Sequence, residues 1–279
     1  MAVHPPHTPS PAALPDPGST TRGCGRRSGA LLRAARTGLA LRVARFRAAE
    51  GAMAAVEFAL ILPTLLLIMF ASIQIVAYID ATRKVELVAH SISQMISQAA
   101  PPRNTTVAQV NAADLHFSYD SALVLFPYVM KDAKRRGVAW WQTISINYAA
   151  IQFRARNAAC QSRTDTSGDL SACFDANVVW TSTGTHQPAS GDNYRPCNPA
   201  QLPADDDAAP NRATLPRSSY GPGSLVVIDV VFDFQPTFGS GFVPAIRIAR
   251  SAYVLPRYAS LVNYDTANNT GIATRCTGF

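Results

Sequence analysis

Histidine is scarce in this chain, with five in 279 residues, and no metal-binding or nucleophile motif surrounds any of them. His4 and His7 lie in a proline-rich head, His90 and His116 fall in helical patterns, and His186 sits in a polar stretch. There is no G-x-S-x-G elbow, no H-E-x-x-H helix and no phosphate-cradling glycine loop. There is no C-x-x-C pair either, and only His186 falls near the cysteines, so a zinc site lacks its ligand spacing. Asp205-Asp206-Asp207 lacks the glycine and terminal glutamate of a calcium loop and reads as a solvated turn. These absences argue against an enzyme, and no cofactor, metal or small-molecule substrate is expected.

Charge is absent from one long stretch. Phe58 to Ile79, FALILPTLLLIMFASIQIVAYI, runs 22 residues without a charged side chain. At about 1.5 Å per residue a helix of that length spans roughly 33 Å, sufficient for a ~30 Å hydrocarbon core. A cleaved secretory signal would have a shorter apolar region nearer the start and a small-x-small site, whereas this run ends in Ile79-Asp80. The Arg26-Arg27 pair is followed by Ser28-Gly29-Ala30, which adds nothing specific to a twin-arginine reading. An uncleaved signal anchor in contact with the lipid bilayer is expected.

Acidic residues are nearly missing before that run. Residues 1–50 hold eight arginines against Asp16 and Glu50, leaving +1 of the chain's net +7 to the other 229 residues. Arginine beside a span is retained on the cytoplasmic side, so the amino terminus is expected inside and the remainder exported. Nucleic-acid binding is the competing explanation of a basic chain, but the charge sits in a short arm with one aromatic, Phe46, and no binding motif.

Three regions follow. Residues 1–50 form a basic cytoplasmic arm, proline-rich and expected to be disordered over its first 29 residues. Ala30 to Ala49 could lie as a helix on the anionic inner leaflet or act by electrostatic retention alone. Residues 51–80 are the membrane anchor. Residues 81–279 form an exported domain with a long polar loop over 161–223, and the fold class is α+β: a long membrane helix continuing into a domain with a helix and an antiparallel sheet.

Within the domain, Val85, Val88, Ile92, Met95 and Ile96 recur at helical spacing, predicting a continuation of the membrane helix to Pro101-Pro102. That stripe packs on its own domain or on another subunit. A second helix is predicted over Val107 to Lys134. Strands are predicted over Trp141 to Phe153, Val178 to Thr181, Leu225 to Phe234 and Ala245 to Leu255. Val226, Ile228, Val230, Phe232 and Phe234 share one face of the third, with Asp229 and Asp233 on the other. A returning strand would bring Arg247 and Arg250 near those aspartates as cross-strand ion-pair partners, a reading preferred to a catalytic carboxylate pair.

Cys160, Cys173, Cys197 and Cys276 lie beyond the anchor, an even number in an exported domain, and suggest disulfides. Four cysteines allow three pairings. Cys160 with Cys173 and Cys197 with Cys276 are favoured, closing a short polar loop and tying the tail to the long one. Cys24 stays in the reducing cytoplasm. Asn104-Thr105-Thr106 and Asn268-Asn269-Thr270 match the glycosylation acceptor pattern, which is frequent by chance.

The residues around the anchor carry a resemblance. Arg45-Phe46-Arg47, Gly51, the run Ala55-Val56-Glu57-Phe58-Ala59-Leu60-Ile61-Leu62-Pro63, then Arg83-Lys84-Val85 and Ser97-Gln98 resemble the TadE/TadG-like family of tight adherence (Flp-type) pilus assembly proteins. The match extends diffusely to Phe126-Pro127-Tyr128, Trp180, Gly223 to Val227 and Pro256-Arg257-Tyr258. It implies a non-enzymatic minor pilin or pseudopilin-like component of the inner membrane. Its implied partners are pilus or secretion machinery and other pseudopilin-like subunits.

The resemblance also places Glu57, Phe58 and Pro63 in a membrane helix with subunit contacts. Glu57 meets a neighbouring amino terminus, snorkels to the interface, or pairs with Arg47. Pilin-type processing sites carry glycine five residues before the glutamate. Here Gly51 is six before it and Ala52 fills the expected place, a spacing that fits unprocessed members better. A membrane-tethered binding module, an adhesin or sensor ectodomain using the tip Phe238 to Phe242, is the alternative function.

Overall fold

The structure, a computed structural model, describes residues 50–162, 167–183, 194–238, 241 and 243–279, with side chains from residue 53 onward. The chain divides into two compact units, Met1–Leu67 and Ile68–Phe279. Helix α1, Glu50–Ser97, supplies every described residue of the first unit. From Met53 to Leu67 all side chains are exposed, although most are apolar. Pro63 lies inside the helix; it withholds one backbone N–H but does not end it.

The second unit is α+β. Its five-stranded antiparallel sheet has the order β7-β6-β2-β3-β9, where β2 is Ile144–Ala155, β3 Phe174–Ser182, β6 Gly223–Phe234, β7 Ile246–Val254 and β9 Ala273–Arg275. Short parallel pairs flank it: β1 (Val107–Val110) with β8 (Leu261–Tyr264), and β4 (Leu202–Ala204) with β5 (Thr214–Pro216).

The helix predicted over Val107 to Lys134 is corrected. Val107–Val110 is strand β1, because Ala108 and Val110 turn inward while its backbone pairs with β8. Helix α2, Ala112–Leu125, starts where Asn111 accepts from the N–H groups of Ala113 and Asp114, and Asp114 accepts from the Asn111 N–H at 2.9 Å. Pro127 separates it from α3, Tyr128–Arg136, which Gly137 closes in the left-handed conformation at φ 67°.

One face of the sheet carries Ile144, Ile146, Tyr148, Val226, Ile228, Val230, Phe232 and Phe234, all buried in the main core with α2 and the last turns of α1. Ala81, Val85, Val88, Ala89, Ile92 and Ile96 supply the α1 side. The stripe therefore packs on its own domain. Met95 departs from the expectation and is 40% exposed.

The other face is not open. The expected half-buried strand at Trp141 to Phe153 is buried on both sides over Ile144–Ile151, and Trp141 lies in a 3₁₀ turn before it. A second core, with Ile151, Phe174, Val178, Leu215, Tyr220 and Val227, covers this face. The expected polar loop 161–223 thus contains all of β3, a strand of the sheet itself, plus β4 and β5, with Leu215 of β5 in the core that covers this face.

Candidate functional site

Two candidate features stand on α1 and a third lies behind the sheet. On the first, Glu57 and Phe58 are exposed, Phe58 at 61%, among exposed Leu60, Ile61 and Leu65. Such a surface is unstable in water and stable in hydrocarbon. Among the described residues α1 is the one helix long and apolar enough to cross a membrane, which fits a single-pass membrane protein. Gly51 and Ala52 are helical; the exposure of both, like the whole of the arm 1–49, lies outside what the structure describes.

The second feature lies wholly in the second unit. Phe70, Gln74 and Tyr78 recur every four residues and so share one face of α1. The β6–β7 hairpin runs along that face. Tyr78 meets Phe234 edge to face at 5.7 Å between ring centroids, Gln74 Oε1 accepts from the Thr237 N–H at 3.0 Å, and Phe70 meets Phe238 at 5.1 Å. At the neck of the hairpin, Arg135 donates to the Gln235 carbonyl and Arg136 Nη1 to the Asp233 carbonyl at 3.0 Å. Both guanidiniums also pair with the buried Asp132 carboxylate. The tip expected at Phe238 to Phe242 is described only at Phe238 and Gly241, and Phe238 rests against its own helix.

Behind the sheet, Asp229 is 4% exposed. The cross-strand pairs expected with Arg247 and Arg250 are corrected. In register, Asp229 faces Ser251 and Val230 faces Arg250; Asp233 does face Arg247, but no ion pair joins them. Asp229 instead holds Arg195, which donates from Nε at 2.7 Å and Nη2 at 2.9 Å, while Ser251 Oγ also donates to it. Arg195 Nη1 donates to Gln201 Oε1 at 2.7 Å and to the Thr214 carbonyl at 3.1 Å. Burial alone would lower the Arg195 pKa, but the carboxylate charge and its bonds outweigh it and hold the guanidinium above its usual value. Tyr194, buried, and Tyr253, partly buried, lie nearby and are pushed up by desolvation first and then by the Asp229 charge. With both oxygens of Asp229 engaged, the cluster ties the covering segment to the sheet.

Disulfides join Cys160 to Cys173 and Cys197 to Cys276. His116 Nε2 shares a hydrogen bond with Thr270 Oγ1 at 3.0 Å, and His186 lies outside the described residues. Asp206 accepts at 3.0 Å from the N–H of Ser218, which lies in the 3₁₀ turn Arg217–Ser219. Among the described residues no three His, Cys, Asp or Glu side chains converge as a metal site. Asn104 and Asn268 of the two acceptor patterns both take left-handed turn conformations, at φ 64° and 56°.

Arg195, Gln74 and Thr237 escaped the sequence reading. Gln74 did carry a signal, being the lone amide side chain between Phe58 and Ile79. Nothing near Arg195 in sequence marks it, because its partner lies 34 residues away.

The comparisons meet this geometry at α1. Residues 52–92 match the family model described as TadE-like protein. The matched segment begins in the exposed apolar part of the helix and ends within the buried stripe, at Ile92. No curated protein and no solved structure matches the chain.

Proposed function

We propose that this chain is a non-enzymatic inner-membrane component, minor pilin or pseudopilin-like, of a tight adherence pilus assembly and secretion system. The observation that carries the reading is the TadE-like match over residues 52–92, which falls on the helix that exposes its apolar side chains and then enters a folded domain. TadE-like proteins are pilus-associated. The arginine-rich arm before the helix directs the amino terminus to the cytoplasm and the second unit to the periplasm or the exterior. There the two disulfides are stable to the redox environment.

In this role α1 works by association with lipid and with similar helices of other subunits. Glu57, at the cytoplasmic end of the apolar run, is the polar contact through which a neighbouring helix is selected, with Phe58 and Pro63 shaping the adjoining surface. The processing reading at Gly51 and Ala52 leads to an unprocessed protein that keeps its arm.

Deletion of the gene tests the proposal. Surface pili are lost and return with the intact gene. Normal piliation in the deletion strain overturns the assembly role. A reporter fused after Phe279 that is active in the cytosol overturns the orientation.

A further inference from the structure

We propose that the outer edge of β7 is a strand-docking site for an extended acidic segment of another protein, which pairs with the backbone of residues 247–253 and sets carboxylates against Arg247 and Arg250.

Backbone direction is the first argument. In an antiparallel ladder successive residues turn their N–H and C=O groups to opposite sides. The Asp233 N–H donates to the Thr143 carbonyl at 3.2 Å, so the odd-numbered positions of β6 turn toward β2 and the even-numbered ones, Val226 to Phe234, turn toward β7. Their partners there are Val254, Ala252, Arg250, Ile248 and Ile246. Arg247, Ala249, Ser251 and Tyr253 therefore direct both backbone groups away from the sheet. Among the described residues no strand lies beyond β7, and the one group that meets this edge is the Arg250 guanidinium, whose Nη1 donates to the Ala249 carbonyl at 2.8 Å.

Shape is the second. Proteins blunt an open edge by keeping it short, bulging it or placing proline in it. β7 pairs with β6 in unbroken register from Ile246 to Val254 and contains no proline. Its faces are occupied: Ile248 and Ala252 lie in the main core, Tyr253 packs on the second core, and Ser251 bonds Asp229. What stays open is the edge, with Ile246 and Leu255 38 and 61% exposed at its two ends. Such an edge takes an added strand, with backbone bonds supplying affinity and side chains selecting the partner.

Charge does the selecting. Neither Arg247 nor Arg250 has an ion pair among the described residues. Arg250 faces Val230 across the ladder, Arg247 faces Asp233 without bonding it, and Asp229 is spent on Arg195. A carboxylate on the added strand opposite each arginine is favourable, and a cation there is not.

The same rule excludes a second copy. Tyr78 lies by Phe234, which faces Ile246, and the Arg257 N–H donates to the Ser97 carbonyl, so α1 and β7 run in the same direction. Two copies anchored in one bilayer by α1 are related by an axis along the membrane normal, and their β7 edges meet parallel and in register. Arg247 then opposes Arg247, and Arg250 opposes Arg250. This step rests on the reading of α1 as a span; the open edge does not.

The test uses the full chain in detergent micelles and two synthetic peptides as long as β7. Both are built of valine and threonine, with either glutamate or lysine at two positions spaced like Arg247 and Arg250. Amide exchange is read at Ala249 and Ser251. The glutamate peptide slows both by roughly ten-fold or more, while the lysine peptide and a glutamate peptide with a central proline leave them unchanged. Amides of β2, at the sheet centre, do not respond. Arg247→Glu with Arg250→Glu reverses the preference, so that the lysine peptide protects.

No slowing by the glutamate peptide at millimolar concentration overturns the site and leaves the arginines as guards of the edge. Equal slowing by the glutamate and lysine peptides overturns the selection by charge. Slowing that grows with protein concentration in the absence of peptide places a second copy on the edge and overturns the foreign partner. The assembly role stands or falls separately, on the deletion strain.

Discussion

Arg195 and Asp229 form a buried two-point ion pair that fastens the segment leading into β4 to the central sheet: neither side chain is more than 6% exposed, and the guanidinium reaches both carboxylate oxygens. Removing one partner strands the other in a buried site. Arg195→Ala or Asp229→Asn should therefore destabilise the second unit by about 3–5 kcal/mol. Arg195→Met with Asp229→Leu removes both charges together and should restore much of that loss. Chemical denaturation of the detergent-solubilised protein, followed by tryptophan fluorescence, measures both; a single mutant as stable as the parent contradicts the account.

Much of the sheet was legible because its strands alternate. The run Leu225 to Phe234 puts Val226, Ile228, Val230, Phe232 and Phe234 on one face, and that face is the core. Asp229 was misplaced for the same reason: alternation says which face a residue occupies but not what covers it. Its cover is a segment whose composition reads as loop, and composition holds no information about Arg195 folding back over 34 residues. Strands β1, β8 and β9 are three or four residues long, too short for a period to declare itself. At the membrane helix, the 22 uncharged residues announced a span, while the hairpin lying on it depends on strand register and on contacts between residues 163 positions apart.

Tyrosine burial gives the fold an alkaline limit. Desolvation pushes the Tyr220 hydroxyl up to about 12, and it raises Tyr148, Tyr194 and Tyr253 as well. In the unfolded chain these groups ionise near pH 10. A raised folded pKa means that the unfolded state loses protons first, so the stability is fully present below about pH 10 and falls as pH rises toward the folded values. Tyrosinate absorbance should show a late fraction, from these buried hydroxyls, that appears together with loss of near-ultraviolet circular dichroism. A single titration step near pH 10 with the fold intact would contradict the burial.

The two disulfides should differ in worth because they close different lengths of chain. Cys160 and Cys173 are 13 residues apart, Cys197 and Cys276 are 79 apart. In the chain-entropy picture these closures stabilise by about 3 and about 4.5 kcal/mol. The second also holds the tail strand β9 beside β3, since the Cys276 N–H bonds the Val179 carbonyl at 2.8 Å. Cys197→Ser with Cys276→Ser should lower the denaturation midpoint more than Cys160→Ser with Cys173→Ser. The reverse order would mean that the short loop carries native contacts beyond its closure.

Gln74 is where the helix and the hairpin can be uncoupled by one atom. Gln74→Leu keeps the size and increases the apolar character of the helix, so membrane insertion survives, but the Thr237 N–H loses its acceptor. An unmatched N–H away from water costs about 1–3 kcal/mol, and that cost falls on the docked hairpin alone. Amide exchange at Thr237 should accelerate by roughly ten-fold or more in the variant, since 1.4 kcal/mol corresponds to about a factor of ten, while amides of β2 at the sheet centre are unchanged. Gln74→Glu supplies an acceptor at the same position when ionised and should slow Thr237 exchange relative to Gln74→Leu. Equal exchange at Thr237 in all three proteins would show that the aromatic contacts of Phe70 and Tyr78 hold the hairpin without the amide.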